Sequence, residues 1–223
     1  MSELKLVIFD MDGTLIDSQA FIQLGMGQGF ARAGYPAVNK DDVLSIVGLS
    51  FNAAVAVLLP TLDAAENQRV VDVIQQTFYK LRDEMGDDVG SPLYPGARDT
   101  LERLHLVDEI LMGVATGKAR RGLDHAYNAH KIEHFFITSQ TADLHPSKPH
   151  PSMLHQTLKD TGVEAAQAVM VGDTEFDMEM GRAAGFKTVG VSWGYHPVSR
   201  LGAADVIIDD FADLDAALAE MWS

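Results

Sequence analysis

The chain has 223 residues, 47% of them hydrophobic, with 17 Lys+Arg against 32 Asp+Glu and a formal net charge of −15. A chain of this size folds to roughly 10,000 Å² of surface from about 35,000 Å² extended, so it has a real core, and its hydrophobic content argues against disorder. The acidity argues against nucleic acid or an anionic membrane as partner, and the lack of cysteine excludes disulfides, a thiolate nucleophile and Cys-ligated metal sites.

The opening, MSELKLVIFDMDG, meets acid within a few residues of its apolar run. It reads as neither a signal peptide nor a membrane span, so a soluble, cytoplasmic protein is expected. Short apolar runs predict strands at Leu4–Phe9, Leu111–Ala115, Phe135–Thr138, Ala168–Val171, Thr188–Val191 and Val206–Ile208. They are continuous rather than alternating, as in strands buried on both faces of a parallel sheet. Helical periodicity falls between them, at Ala97–Leu106, Arg120–His130, Ser152–Thr161, Phe176–Ala184 and Leu214–Trp222. Such alternation predicts an α/β, doubly wound, Rossmann-like core.

Residues 17–90 interrupt that rhythm. Asp17–Gly34, Lys40–Val47, Asn52–Leu59 and Asp63–Met85 all read as helices, with no strand between them. We expect a helical-bundle insertion over 17–90 inside a core made of 1–16 and 91–223. Asp17/Ser18 is the expected N-cap at one edge, and the Gly/Pro/Asp-rich loop 86–96 is the other edge. Gly25, Gly27 and Gly29 lie within the first of these helices and weaken it by roughly 1 kcal/mol each. Their segment follows no strand, so close helix packing is expected there rather than nucleotide binding.

In open α/β sheets, ligands bind beyond the carboxyl ends of the strands. The expected strand ends carry Asp10-Met11-Asp12-Gly13-Thr14, Thr116-Gly117-Lys118, Ser147-Lys148-Pro149 and Gly172-Asp173-Thr174, with Asp177 a helical turn further on. Clustered carboxylates need a cation to stay ionised together. Oxygen ligands without cysteine suit Mg²⁺, and Mg²⁺ beside a lysine points to a phosphorylated substrate. An aspartate at a strand end is placed to attack phosphorus, and a second one two residues on to move the proton.

The motifs DMDGTLIDS, ATGK, SKPHP and GDTEFD, in this order over nearly the whole chain, resemble those of the haloacid dehalogenase-like superfamily. The resemblance is closest to its phosphoglycolate phosphatase-like branch, which includes pyrophosphatases and sugar-phosphate phosphatases. It implies a helical cap over 17–90 and a Mg²⁺-dependent phosphatase acting through an aspartyl-phosphate. Asp10 would be nucleophile and metal ligand. Asp12 would be general acid/base, lending its backbone carbonyl to the metal. Thr116 and the Gly117 amide would hold phosphoryl oxygens, and Lys148 would neutralise charge. Asp173 would ligate Mg²⁺, and Asp177 would support it directly or through water.

Other readings bound this one. Lys118 reads equally as a substrate contact or a solvated charge. Glu175 and Glu179 read as helix-surface acids, and His145, His150 and His155 as surface or loop histidines, with no HExxH spacing. His196 is a candidate for the pocket rim, and the loop Val47–Ser50 lies where such caps meet substrate. Arg32, Lys40, Arg69, Lys80 and Arg82 are the only basic residues of the expected cap, and none is recognisably over the site. The alternatives are a pyrophosphatase, a sugar-phosphate phosphatase or a phosphomutase, then a 2-haloacid dehalogenase, against which Asp12 and Asp173 argue. A phosphorylated receiver domain would lack the insertion, and a catalytically dead module would lack a site residue. The expected partner is a small phosphorylated metabolite, with the protein a monomer or homodimer.

Overall fold

The computed structural model describes residues 3–86 and 91–223. Residues 1–2, and residues 87–90 with the expected edge at 90 and part of the expected 86–96 loop, lie outside them. Six strands form one parallel sheet: β1 (Lys5–Phe9), β2 (Ile110–Thr116), β3 (Thr138–Thr141), β4 (Ala168–Gly172), β5 (Lys187–Val191) and β6 (Val206–Ile208). Their order is β3-β2-β1-β4-β5-β6. The winding direction reverses between β1 and β4, which is where open sheets of this kind place a ligand. Register reinforces this, because Phe9 pairs with both Val114 and Val171 and so brings three strand ends to one rim.

The apolar runs of the strands fill two layers. Val7, Phe9, Val114, Val171 and Val189 pack on one face with α5 (Ala97–His105), α6 (Arg120–His130) and α9 (Leu214–Met221). Leu6, Ile8 and Met170 pack on the other with α7 (Ser152–Thr161) and α8 (Glu175–Ala184). One expected strand is displaced. Phe135 lies in a 3₁₀ turn, and β3 is the polar segment Thr138–Thr141. It is an edge strand whose Thr138 and Gln140 side chains donate to Asp160, at 2.6 and 2.8 Å, so it needs no apolar run to hold its place.

Between β1 and α5 lie α1 (Gln19–Ala33), α2 (Lys40–Ser45), α3 (Phe51–Leu58) and α4 (Ala64–Met85). They enclose a core of their own around Met26, Phe30, Val43, Val55, Val70 and Ile74. Helix α4 begins where the Asp63 carboxylate accepts the Glu66 N–H at 2.8 Å, a side-chain cap on otherwise unsatisfied donors. It buries Val70, Val71, Ile74, Thr77 and Leu81 at helical spacing. The glycines of α1 divide. A Cβ at Gly25 would lie 2.5 Å from the Phe78 ring, and one at Gly29 would lie 2.8 Å from Ile74, so both permit close packing of α1 on α4. Gly27 faces open space and has no packing role.

No helix among the described residues is long and apolar enough to cross a membrane.

Candidate active site

The chain leaves β1 into a tight turn at Gly13 (φ +85°). A side chain there would strike Asp173, whose Oδ2 lies 2.1 Å from the position of a Cβ, so glycine lets the first and fourth strand ends meet. Asp10 is buried after β1, with Oδ1 accepting the Met11 N–H at 2.7 Å. Its Oδ2 is buried without a hydrogen-bond partner and faces the Lys148 ammonium at 3.0 Å. Lys148 is itself fully buried and donates to Asp177 Oδ1 at 2.6 Å.

Asp173 is held by Thr14 Oγ1, which donates to Oδ1 at 2.8 Å, and by the Tyr195 N–H, which donates to Oδ2 at 2.9 Å. Asp177 sits in the first turn of α8 in a capping box, its N–H donating to Thr174 Oγ1 at 3.3 Å and its Oδ2 accepting the Thr174 N–H at 3.1 Å, and Thr174 Oγ1 also donates to that Oδ2 at 2.6 Å.

Asp10, Asp173 and Asp177 bring carboxylate oxygens within 4.8 Å of one another. One buried ammonium stands among these three buried carboxylates and contacts two of them, Asp10 and Asp177. Burial pushes the Asp10 carboxyl up to about 7, against the pull of Lys148. Burial and then Asp177 hold Asp173 well above the ordinary carboxylate range. Burial alone would lower the Lys148 ammonium, but Asp10 and Asp177 outweigh it and raise it. The excess negative charge and the Asp10 oxygen, ion-paired with Lys148 but free of hydrogen bonds, fit a divalent cation with oxygen ligands such as Mg²⁺. The Asp12 carboxylate is not part of this cluster.

Asp12 instead forms a second unit. Its Oδ2 pairs with Lys118 Nζ at 2.7 Å, and its Oδ1 accepts a hydrogen bond from Ser18 Oγ. Ser18 was expected to cap α1, but its side chain makes no capping bond, because Oγ is committed to Asp12. The Ser18 N–H donates to the Tyr195 hydroxyl at 2.7 Å. Lys118 is half-buried in this pair rather than a freely solvated charge. Thr116 is buried at the end of β2 and its Oγ1 accepts the Lys118 N–H at 3.3 Å.

The loop Val47–Ser50 lies against the rim. A Cβ on Gly117 would come 2.5 Å from the Gly48 carbonyl oxygen, and one on Gly48 3.1 Å from Thr174 Oγ1. The Ser50 N–H donates to Ser147 Oγ at 2.9 Å, beside Lys148. Between this loop and the rim is a cavity of about 810 Å³, its mouth included, floored by Asp10, Asp12, Thr116, Gly117 and Lys118.

Arg82 of α4 also lines that cavity, a basic residue of the insertion at the site that the sequence did not single out. Helical periodicity alone could not place α4 against the rim. His196 is not on the cavity wall. It is buried, its Nδ1 accepting the Glu175 N–H at 3.3 Å and its Nε2 lying 3.2 Å from the Ser45 carbonyl. Glu175 pairs with Arg200 rather than facing solvent alone, while Glu179 is exposed. His145 is half-buried between Ser152 Oγ and Gln140, at 2.9 and 2.8 Å. Sequence reasoning missed Tyr195 and the bond from Ser18 to Asp12. Thr14 and Ser18 lie inside the DMDGTLIDS motif, the one signal that pointed to them.

A family model described as haloacid dehalogenase-like hydrolase matches residues 7–191. The phosphoglycolate phosphatase of Vibrio cholerae is 31% identical, with 96% of each chain covered. That of Haemophilus influenzae is 31% identical, with 96% of this chain and 97% of the relative covered. Among solved structures, a haloacid dehalogenase-like family hydrolase of Streptococcus pneumoniae superposes with a TM-score of 0.80 at 25% identity, covering 97% of this chain and 99% of that one. A β-phosphoglucomutase of Clostridium difficile reaches 0.82 at 18% identity, covering 98% of this chain and 97% of that one, a likeness of fold alone.

Proposed function

The chain belongs to the haloacid dehalogenase-like hydrolases, and from that membership we propose that it is a Mg²⁺-dependent phosphatase that hydrolyses a small, phosphoglycolate-like phosphate monoester through an aspartyl-phosphate on Asp10. The observation that carries this reading is the buried Asp10 oxygen, free of hydrogen bonds and faced by Lys148 at 3.0 Å. The relatives named as phosphoglycolate phosphatases support the substrate class.

Asp10 and Asp173 would hold the metal, with the Asp12 backbone carbonyl and with Asp177 directly or through water. When bound, Mg²⁺ supplies positive charge to the phosphoryl group and keeps Asp10 ionised. Asp10 Oδ2 attacks phosphorus, and the bond to the leaving oxygen breaks. The Thr116 hydroxyl and the Gly117 N–H hold the equatorial phosphoryl oxygens, where charge spreads in the transition state. Lys148 offsets the charge on Asp10, and Asp177 fixes the Lys148 ammonium in place.

Asp12 donates its proton to the leaving alkoxide, then takes one from the water that attacks phosphorus and frees phosphate. Ser18 and Lys118 aim its carboxylate. Residues 17–90 act as a cap that excludes bulk water, through the contact of Gly48 on Gly117. A 2-haloacid dehalogenase reading leaves this second carboxylate unit and the Asp173 cluster without a task.

The reading is tested on a Mg²⁺-supplemented panel of phosphoglycolate, pyrophosphate, small sugar phosphates and 2-haloacids. Phosphate release that EDTA stops and added Mg²⁺ restores is expected. Dehalogenation of a haloacid in metal-free buffer contradicts it.

A further inference from the structure

The expected cap has five basic side chains, and four are accounted for outside the cavity. Arg32 donates to Thr77 Oγ1 at 2.9 Å, Arg69 pairs with Glu66 at 2.6 Å and Lys80 faces Glu84 at 3.5 Å. Lys40 is exposed at the start of α2. Arg82 is different. It is half-buried, and among the described residues its guanidinium makes no hydrogen bond and no ion pair. Its guanidinium carbon lies over the Phe21 ring, 5.0 Å from the centroid.

It lies beside Gly122 of α6. A Cβ there would lie 3.7 Å from Arg82 Nη1 and 3.8 Å from Lys118 Cβ. Arg82 is therefore a near neighbour of the Lys118–Asp12 pair. That pair cannot satisfy it, because Asp12 is already engaged by Lys118 and Ser18. Burial disfavours the Arg82 cation; the Asp12 carboxylate acts on it from nearby without pairing with it, the cation of Arg121 opposes it, and Tyr79 favours it. Arg121 itself stacks on Tyr79 at 4.1 Å.

The rest of the cap's contribution to the cavity is largely apolar, with Phe21, Ile22, Met26, Phe51 and Phe78 in its wall. A half-buried guanidinium without a carboxylate is costly to keep. Its planar fork matches a carboxylate or phosphate bidentately. Among the described residues no carboxylate pairs with it, and one cavity that it lines is floored by Asp10, Asp12 and Thr116.

We propose that Arg82 is the specificity-determining residue of the cap, and that it binds a second anionic group carried by the substrate a few atoms from the phosphoryl group. This rests on the phosphatase reading and deepens it. The substrate is then two-headed, with one anion on the rim of the sheet and the other on α4. Apolar walls between them exclude bulky polar alcohols. A carboxylate and a second phosphate share the recognising chemistry.

The test measures kcat and KM with Mg²⁺ for wild type, Arg82→Gln and Arg82→Lys on phosphoglycolate, a short-chain bisphosphate and ethyl phosphate. Ethyl phosphate carries no second anion. For Arg82→Gln, the preference for the better two-headed probe over ethyl phosphate, as a ratio of kcat/KM, should fall about 30-fold or more. That is the loss of a charge-assisted contact worth about 2 kcal/mol. The loss should lie mainly in KM, with Arg82→Lys intermediate and melting temperatures unchanged. Whichever two-headed probe shows the larger fall identifies the second group as carboxylate or phosphate. An equal loss on all three probes, a loss confined to kcat, or no loss overturns the assignment. Wild-type protein that hydrolyses none of them overturns the phosphatase reading itself.

Discussion

The two surfaces that enclose the cavity are built on opposite principles. On the rim of the sheet, titratable groups are buried and held by partners inside the protein: Lys148 by Asp10 and Asp177, Asp173 by Thr14 and Tyr195, Asp12 by Lys118 and Ser18. The facing side of α1–α4 is mostly apolar, and its one cation in the cavity, among the described residues, has no such partner. On the proposed function, the contrast separates two tasks. Groups that carry chemistry are preorganised before substrate arrives, which removes reorganisation from the barrier. A group that selects substrate is left unsatisfied, so that binding completes it.

If that division holds, changes on the rim lower turnover for every substrate, and changes on the cap alter preference or stability instead. The largest effect falls at Asp10. Asp10→Asn should lower kcat by about 10⁴-fold or more on every phosphate ester, as loss of a nucleophile does elsewhere. Near-normal steady-state rates in this variant would break the comparison at its base.

Lys148→Met should follow, with kcat down about 10³-fold. It leaves buried carboxylates uncompensated, so chemical denaturation in metal-free buffer should show a loss of about 3 kcal/mol. A change in preference without a fall in kcat would place Lys148 with the cap's task instead.

Gly117→Ala probes the seam between the surfaces. Its new Cβ would sit 2.5 Å from the Gly48 carbonyl oxygen and 2.9 Å from that of Leu49. The loop Val47–Ser50 must give way, and KM should rise about tenfold with a smaller change in kcat. An unchanged KM would show that this contact does not govern closure.

The smallest effects are confined to the cap's own packing. Gly29→Ala drives a Cβ to 2.8 Å from Ile74 Cγ1 and 3.1 Å from its Cα, and should cost about 1–3 kcal/mol by thermal melting. Gly27→Ala meets nothing and should add about 0.5–1 kcal/mol from helix propensity. Neither should move kcat if the rim is organised independently of the cap.

The same contrast explains what could be read from sequence. The strands that carry the site announce themselves as apolar runs ending in Asp, Thr or Gly, so the fold and the candidates Asp10, Asp12, Thr116 and Asp173 were legible together. Lys148 and Asp177 were legible within the SKPHP and GDTEFD motifs. What was not legible is held by contacts between distant segments. Polar β3 is anchored by Asp160 and has no hydrophobic signature. Ser18 carries the residue type of a helix cap, and only folding shows that Asp12 takes its hydroxyl. Tyr195 reaches Asp173 through a backbone N–H, which no side-chain identity records. Arg82 stands on the same helix as the paired Lys80, and its pattern does not say which of the two faces the cavity.

The central claim is that Asp10 carries the phosphoryl group. It is tested most directly by rapid acid quench of wild type and Asp10→Asn during turnover of a phosphorus-labelled ester with Mg²⁺. The account predicts label on the wild-type peptide that contains Asp10, labile to hydroxylamine as an acyl phosphate, and neither label nor appreciable turnover in Asp10→Asn. Hydrolysis by Asp10→Asn at the wild-type rate, with no label on the protein, would contradict it.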